Sequence, residues 1–306
     1  MLIPNSKTRI AIGNRQHPGG FMPPEPTLET TFSEADIHAF EPELKIGLLA
    51  TIDPEGLPHL TLLSTLKASG SSQLTFGQFT EGLSKVYVRQ NPKTGWLIMT
   101  LDKNMWRGRA LFTHTANAGP DYDFYNNLPM FRYNAYFGIH TVYYMDLVEF
   151  YGKQVLPMRN IITASVKTAL AKTLHLRRPS HAVLNPWTRQ LLARLGNLKF
   201  AAYVRSDGYP EIIPVLQLQP LDRQRLVFTP SPYAAELAAI LQGTTLAVFG
   251  MSLDMEDVLL RGQYLGIRRV AGISCGVADI NWVYNPMPPK PQRIYPELPI
   301  EAVLEF

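Results

Sequence analysis

Hydrophobic residues along this chain come mostly in short runs bounded by glycine, proline, aspartate and asparagine, a strand-forming pattern. Ile46–Ile52 reads as a strand, Asp53-Pro54-Glu55-Gly56 as a turn and Pro58–Leu66 as the returning strand, which makes a hairpin. Further strands are predicted over Gln73–Phe76, Trp96–Leu101, Trp106–Thr113 and His140–Phe150. Helical signals are fewer. Ser33 caps a short helix with Glu34 and Asp36 in its first turn, ending near Phe40. A helix start follows Gly82, and another follows Gly119-Pro120-Asp121. Ile161–Leu174 and Pro186–Leu195 read as two longer helices, separated by proline punctuation.

The pattern recurs. Gly56-Leu57-Pro58-His59-Leu60 returns as Gly208-Tyr209-Pro210-Glu211-Ile212, and Leu74-Thr75-Phe76 as Leu226-Val227-Phe228, both 152 residues on. Arg107-Gly108 returns as Arg261-Gly262 at an offset of 154. Landmarks that keep register over such a distance predict an internal duplication. Residues 1–40 are expected to form an N-terminal arm and short helix, and 41–155 a first domain. Residues 156–196 then make a helical connector, and 197–306 a second domain ending in a proline-rich extended tail. The first domain closes with eleven aromatic residues between 121 and 151, enough to fill a core or wall a pocket.

Composition narrows the function classes. A length of 306 residues with 46% hydrophobic content supports about two ordinary domains. The net charge of +4 suits a small anionic ligand, and the basic residues are too scattered for a nucleic-acid surface. The single cysteine, Cys275, permits no internal disulfide, which suits a reducing, cytoplasmic setting. No apolar run is long enough to span a membrane, and the N-terminus lacks a signal-peptide core. The seven histidines show no metal-ligand spacing, and phosphate-loop, dinucleotide-fold and nucleophile-elbow motifs are missing. Metal, nucleotide-triphosphatase and hydrolase readings therefore have no support.

The stretch with the most chemistry is 74–92, LTFGQFTEGLSKVYVRQNP. A strand ends at Gly77, and a helix begins beside Ser84 and Lys85. The free N–H groups of a helix start, a hydroxyl and an ammonium together can hold an anion. With Leu49–His59, with Asn91-Pro92 and with Trp106-Arg107-Gly108-Arg109-Ala110, this stretch resembles the FMN-binding split-barrel superfamily, the pyridoxamine 5′-phosphate oxidase-like proteins. The pattern covers about residues 44–113, and residues 197–270 resemble the same barrel more faintly.

The resemblance implies a mainly β fold with flanking helices: two tandem antiparallel split β-barrels standing in for the usual homodimer. It implies FMN, or alternatively the deazaflavin F420, bound where the barrels meet. A small-molecule substrate and a reduced nicotinamide donor would be partners of an oxidoreductase; a binding protein without turnover and a barrel pair serving as an interaction module are the other readings. Whether the chain dimerises further stays open. Ser84 and Lys85 would hold the phosphate, with Thr61 and Lys67 beside it. Phe76, Gly77 and Gln78 would lie at the strand end near the ring, and Trp106 and Arg107 would reach the flavin across the barrel interface. An exposed Lys85 would tolerate charge reversal without loss of fold. The 152-residue offset puts Glu236 and Leu237 where Ser84 and Lys85 stand, so a phosphate cradle is expected in the first half only. Arg293-Ile294-Tyr295-Pro296 is similar to the Arg-Leu-x-Pro ending of the true oxidases and does not by itself identify the substrate.

Overall fold

The computed structural model describes residues 28–78, 80, 82–129, 132, 138–175, 181–287 and 291–299. Most of the expected N-terminal arm, the middle of the aromatic run and parts of the proline-rich tail lie outside these residues.

The chain is mainly β, arranged as two antiparallel split barrels with flanking helices. The first barrel contains β1 (Lys45–Ile52), β2 (Pro58–Leu62), β3 (Lys67–Ala68), β4 (Gln73–Gln78), β5 (Lys93–Thr100), β6 (Asn104–Ala116), β7 (Thr141–Phe150) and β8 (Gln154–Val155). Helix α1 (Glu34–Ala39) precedes it, while α2 (Leu83–Gln90) and α3 (Pro120–Asn127) lie between its strands. The second barrel contains β9 (Leu198–Val204), β10 (Pro210–Pro214), β11 (Gln219–Pro220), β12 (Arg225–Phe228), β13 (Thr245–Met251), β14 (Asp257–Val270), β15 (Ile273–Asn285) and β16 (Gln292–Tyr295), with α6 (Ala234–Ala239) after β12. Between the barrels run α4 (Met158–Leu174) and α5 (Pro186–Ala193). The first sheet is ordered β2-β1-β5-β6-β7-β4-β3, and the second β10-β9-β13-β14-β15-β12-β11. The two orders match strand for strand. The tail strand β16 pairs with β15.

Local chemistry explains the shared path. Asp53 Oδ1 accepts the N–H groups of Glu55 at 3.0 Å and Leu57 at 2.8 Å, and Gly56 takes φ +78, so the first hairpin turns tightly. In the second hairpin Asp207 Oδ1 accepts from Tyr209, and Gly208 has φ +82. On β6 and β14, a Cβ at Gly108 or Gly262 would run into the carbonyl oxygen of Glu149 or Asp279 on the next strand. Both glycines sit at or next to register shifts.

Each barrel has its own core. Phe32, Phe40, Trp96, Trp106 and Phe150 cluster inside the first; Phe228, Leu246, Leu260 and Tyr264 fill the second. A third cluster joins them: Leu48, Ala50, Leu60 and Leu97 pack with Phe200, Ala202, Ile212 and Phe249. The central strands are thus buried on both faces, which is why Ile46–Ile52 is apolar almost throughout. The approach is closest at Gly95, where an added Cβ would meet the Pro210 carbonyl oxygen. Gly95→Ala should therefore cost about 1–3 kcal/mol, by overpacking at a backbone that cannot retreat. Urea denaturation of the two chains, compared at equal protein concentration, checks this; equal midpoints would refute it.

Candidate ligand cleft between the two barrels

Helix α2 starts at the barrel junction. Its N-cap is Gly82, which makes no side-chain cap, so the first-turn N–H groups lack the usual side-chain acceptor. Ser84 and Lys85 follow in that turn, Ser84 fully buried and Lys85 at 8% exposure. The Ser84 hydroxyl finds no hydrogen-bond partner among the described residues. These residues open onto a cleft of about 290 Å³. His59, Thr61, Leu62 and Leu63 from the hairpin, with Thr80 and Gly82 ahead of the helix, form one wall. Met255, Asp257 and Tyr284 of the second barrel form the other, and Pro286, Met287 and Pro291 of the tail close one side.

Aromatic side chains stiffen the junction. His59 meets Tyr87 edge-to-face at 5.3 Å and Tyr284 of the other barrel at 6.2 Å. Tyr284 stacks on Trp282 at 5.3 Å, and the Arg261 guanidinium lies 4.7 Å over Trp282. Arg261 also crosses to the first barrel, where its Nη1 donates to Asp53 Oδ2 at 2.5 Å. The carboxylate that turns the first hairpin therefore also anchors the second barrel's cation.

Two titratable residues that line the cleft are shifted by burial. Burial, then Arg261, then Lys85 drive His59 down to about 3, so its imidazole is neutral, and its Nδ1 has no partner among the described residues. Burial pushes Asp257 up to about 7, and its Oδ1 has no partner among the described residues. The Asp257 N–H donates to Met287 Sδ at 3.4 Å.

The structure brings together Thr61, Ser84 and Lys85 of the expected site residues. The others lie elsewhere, for identifiable reasons. Lys67 pairs with Asp121 at 2.6 Å, beneath the Phe124 ring, away from the residues that line the cleft. Phe76 points into the first barrel and stacks on Tyr143 at 4.7 Å. At Gly77 the missing Cβ makes room for Ile139, not for a ring in the cleft. Gln78 is buried and accepts from the Tyr143 hydroxyl at 2.7 Å. Trp106 is a core residue whose Nε1 donates to Asp36 at 2.7 Å. Arg107, on the opposite strand face, does cross the interface, but to a carboxylate: its Nη1 and Nη2 donate to Glu236 at 2.6 and 2.8 Å. Lys85 is buried, not exposed, so charge reversal there would bury a carboxylate and cost stability.

Sequence reasoning passed over His59, Asp257, Arg261 and Tyr284. A usable signal was present in the repeat itself: His59 stands where the second half has Glu211, and Ser84 where it has Glu236. Positions related by the repeat offset that differ in charge separate one junction from the other.

A larger groove of about 550 Å³ runs along α4, lined by Ile162, Val166, Leu170 and Leu195 among other uncharged residues. It offers shape without reactive groups. Among the described residues no cluster could hold a metal ion, and no helix is long and apolar enough to cross a membrane.

No protein-family model matches the chain, and no curated protein does. Among solved structures it is similar to HupZ of Group A Streptococcus, at 12% identity over 39% of this chain and 91% of that one, with a TM-score of 0.33. It is similar to an FMN-binding protein from Syntrophomonas wolfei subsp. wolfei, at 13% identity over 38% and 80% of the two chains, TM-score 0.33. An F420 reductase is 20% identical over 39% of this chain and 98% of its own, TM-score 0.32.

Proposed function

We propose that the cleft binds a phosphorylated flavin, FMN in the first instance, and that the chain is a flavin-dependent oxidoreductase acting on a small molecule. The observation that carries this reading is the buried Ser84 hydroxyl, unpartnered among the described residues in the first turn of an uncapped helix, next to the Lys85 side chain. A hydroxyl desolvated without a partner costs stability, so its natural complement is an acceptor brought by a ligand. The helix dipole, the N–H groups and the ammonium select for negative charge.

The residues present fit such a group. Ser84, Lys85 and Thr61 would take the phosphate end, and Leu62, Leu63, Met255 and Tyr284 supply apolar walls for the rest. A bound flavin supplies hydride and electron transfer. The chain's own residues hold and orient it, exclude water and keep His59 as a neutral donor or acceptor at the cleft wall. Both walls come from one chain, so a second copy is not needed to complete the cleft.

The test is titration of the full chain with FMN, with riboflavin and with F420, followed by fluorescence. Saturable FMN binding at least about a hundredfold tighter than riboflavin is expected, since the phosphate brings several charge-assisted hydrogen bonds. Absence of saturable flavin binding overturns the reading. Bleaching of the bound flavin by reduced nicotinamide supports turnover; a bound flavin that no donor reduces makes the chain a binding protein. Ser84→Ala should stabilise the ligand-free chain by about 1 kcal/mol, because it removes a stranded hydroxyl, while weakening FMN binding. Thermal denaturation of both chains with and without FMN reads the two opposite signs.

A further inference from the structure

The barrels meet at two junctions related by the internal repeat, and each junction holds an arginine at the same strand position, Arg107 on β6 and Arg261 on β14. At the first, every nitrogen of the guanidinium has a partner. Besides its two bonds to Glu236, Arg107 donates from Nη1 to the Ile212 carbonyl at 3.1 Å and from Nε to Gln154 at 3.3 Å. Arg261 is nearly as deeply buried, at 7% exposure, and its Nη1 is held by Asp53. Its Nε and Nη2 have no hydrogen-bond partner among the described residues.

Those two nitrogens lie on one edge of the guanidinium plane. Their N–H bonds run side by side and form the fork that takes two oxygens of a phosphate or carboxylate. The closed junction shows what such a group looks like when the chain supplies it. There Glu236 is the oxyanion, and Glu211 Oε1 also lies 3.5 Å from Arg107 Nη1. The repeat replaces Glu236 by Ser84 and Glu211 by His59 at the other junction, so both carboxylates are gone and the cation remains. The Arg261 guanidinium lies over Trp282, which stacks on the cleft residue Tyr284, so its charge sits directly behind that wall of the cleft.

We propose that Arg261, contributed by the second barrel, clamps the oxyanion of the ligand held in the cleft, and that Glu236 supplies the same group internally at the other junction, leaving one ligand per chain. In the flavin reading, on which this rests, the oxyanion is the flavin phosphate.

Arg261→Lys is the informative variant, because lysine can still pair with Asp53 but has no fork. FMN affinity should fall at least about tenfold, with riboflavin affinity unchanged. Wild-type chain should bind one FMN. Equal FMN affinity in variant and wild type, or two FMN per chain, overturns the proposal. If wild type binds no flavin at all, the functional reading fails, and inorganic phosphate decides the clamp separately. Phosphate that raises the melting temperature of wild type but not of Arg261→Lys supports the clamp; phosphate without effect on either overturns it. Should the lysine variant not fold, the arginine Nε–H resonances of wild type, followed during the phosphate titration, serve instead: one shifted resonance supports the clamp and none overturns it.

Discussion

Replacing Arg107 by methionine should remove about 3–5 kcal/mol of stability, the largest single loss expected in this chain. The arginine is almost fully buried, at 1% exposure, and faces two carboxylates. Methionine fills much of the volume but strands Glu236 and the deeply buried Glu211. Burial already raises Glu211 above its ordinary range, and Arg107, then Arg109, hold it back. Without Arg107 the Glu211 carboxyl rises further. A carboxyl raised on folding is least costly at low pH, where it is protonated in both states, and its penalty grows as pH climbs through the folded value. The loss in Arg107→Met should therefore be larger at pH 8 than at pH 5. Urea denaturation at the two pH values measures it. A second change, Glu236→Leu in the same chain, should recover part of the loss, since a well-packed apolar pair replaces a broken ionic one. A single-variant loss below about 1 kcal/mol would mean that the junction is solvated and the pair a surface one.

Asp257→Asn should do the opposite and stabilise the flavin-free chain. The Asp257 carboxyl rises from 3.8 to about 7 because burial disfavours its charge. The sign follows from proton uptake. Below the unfolded value the folded and unfolded chains are both protonated and Asp257 costs nothing. As pH rises toward 7 the folded chain keeps a proton that the unfolded chain has lost, and stability falls. At about 1.4 kcal/mol per unit, the shift sets a ceiling of about 4 kcal/mol above pH 7. Partial exposure and relaxation reduce the expected gain of Asp257→Asn at pH 8 to about 1–2 kcal/mol, with little gain at pH 4. Thermal denaturation across that range tests it; a gain independent of pH would show that the amide's packing, not the charge, is responsible.

Both variants concern junctions that local patterns could not resolve. Strands, helices and turns were legible, because each depends on near neighbours. Asp53 and Gly56 shape a hairpin through contacts within four residues. Alternation along β6 sends Trp106 into the core and Arg107 and Arg109 to the opposite face. Arg107 and Arg109 are buried because the face opposite the core is covered by the second barrel. Arg107 and Arg109 find carboxylates about a hundred residues or more away in sequence. Lys67, expected beside Thr61 at the phosphate, instead pairs with Asp121, 54 residues on.

The candidate site divides the same way. Ser84 and Lys85 could be picked out because a helix start, a hydroxyl and a cation adjoin in the chain. The charge difference between the halves was legible as well, since Glu236 falls at the 152-residue offset from Ser84. What Glu236 does instead was not legible. By itself the sequence determined the strands, the repeated motif spacing and the charge difference between matching positions, all consequences of local backbone chemistry and side-chain alternation. Only the tertiary structure decided which faces meet, that Arg107 is closed by Glu236, and that Nε and Nη2 of Arg261 have no partner among the described residues. Those outcomes depend on docking one barrel against the other, and contacts spanning 208 residues, as between Asp53 and Arg261, leave no periodic trace in the chain.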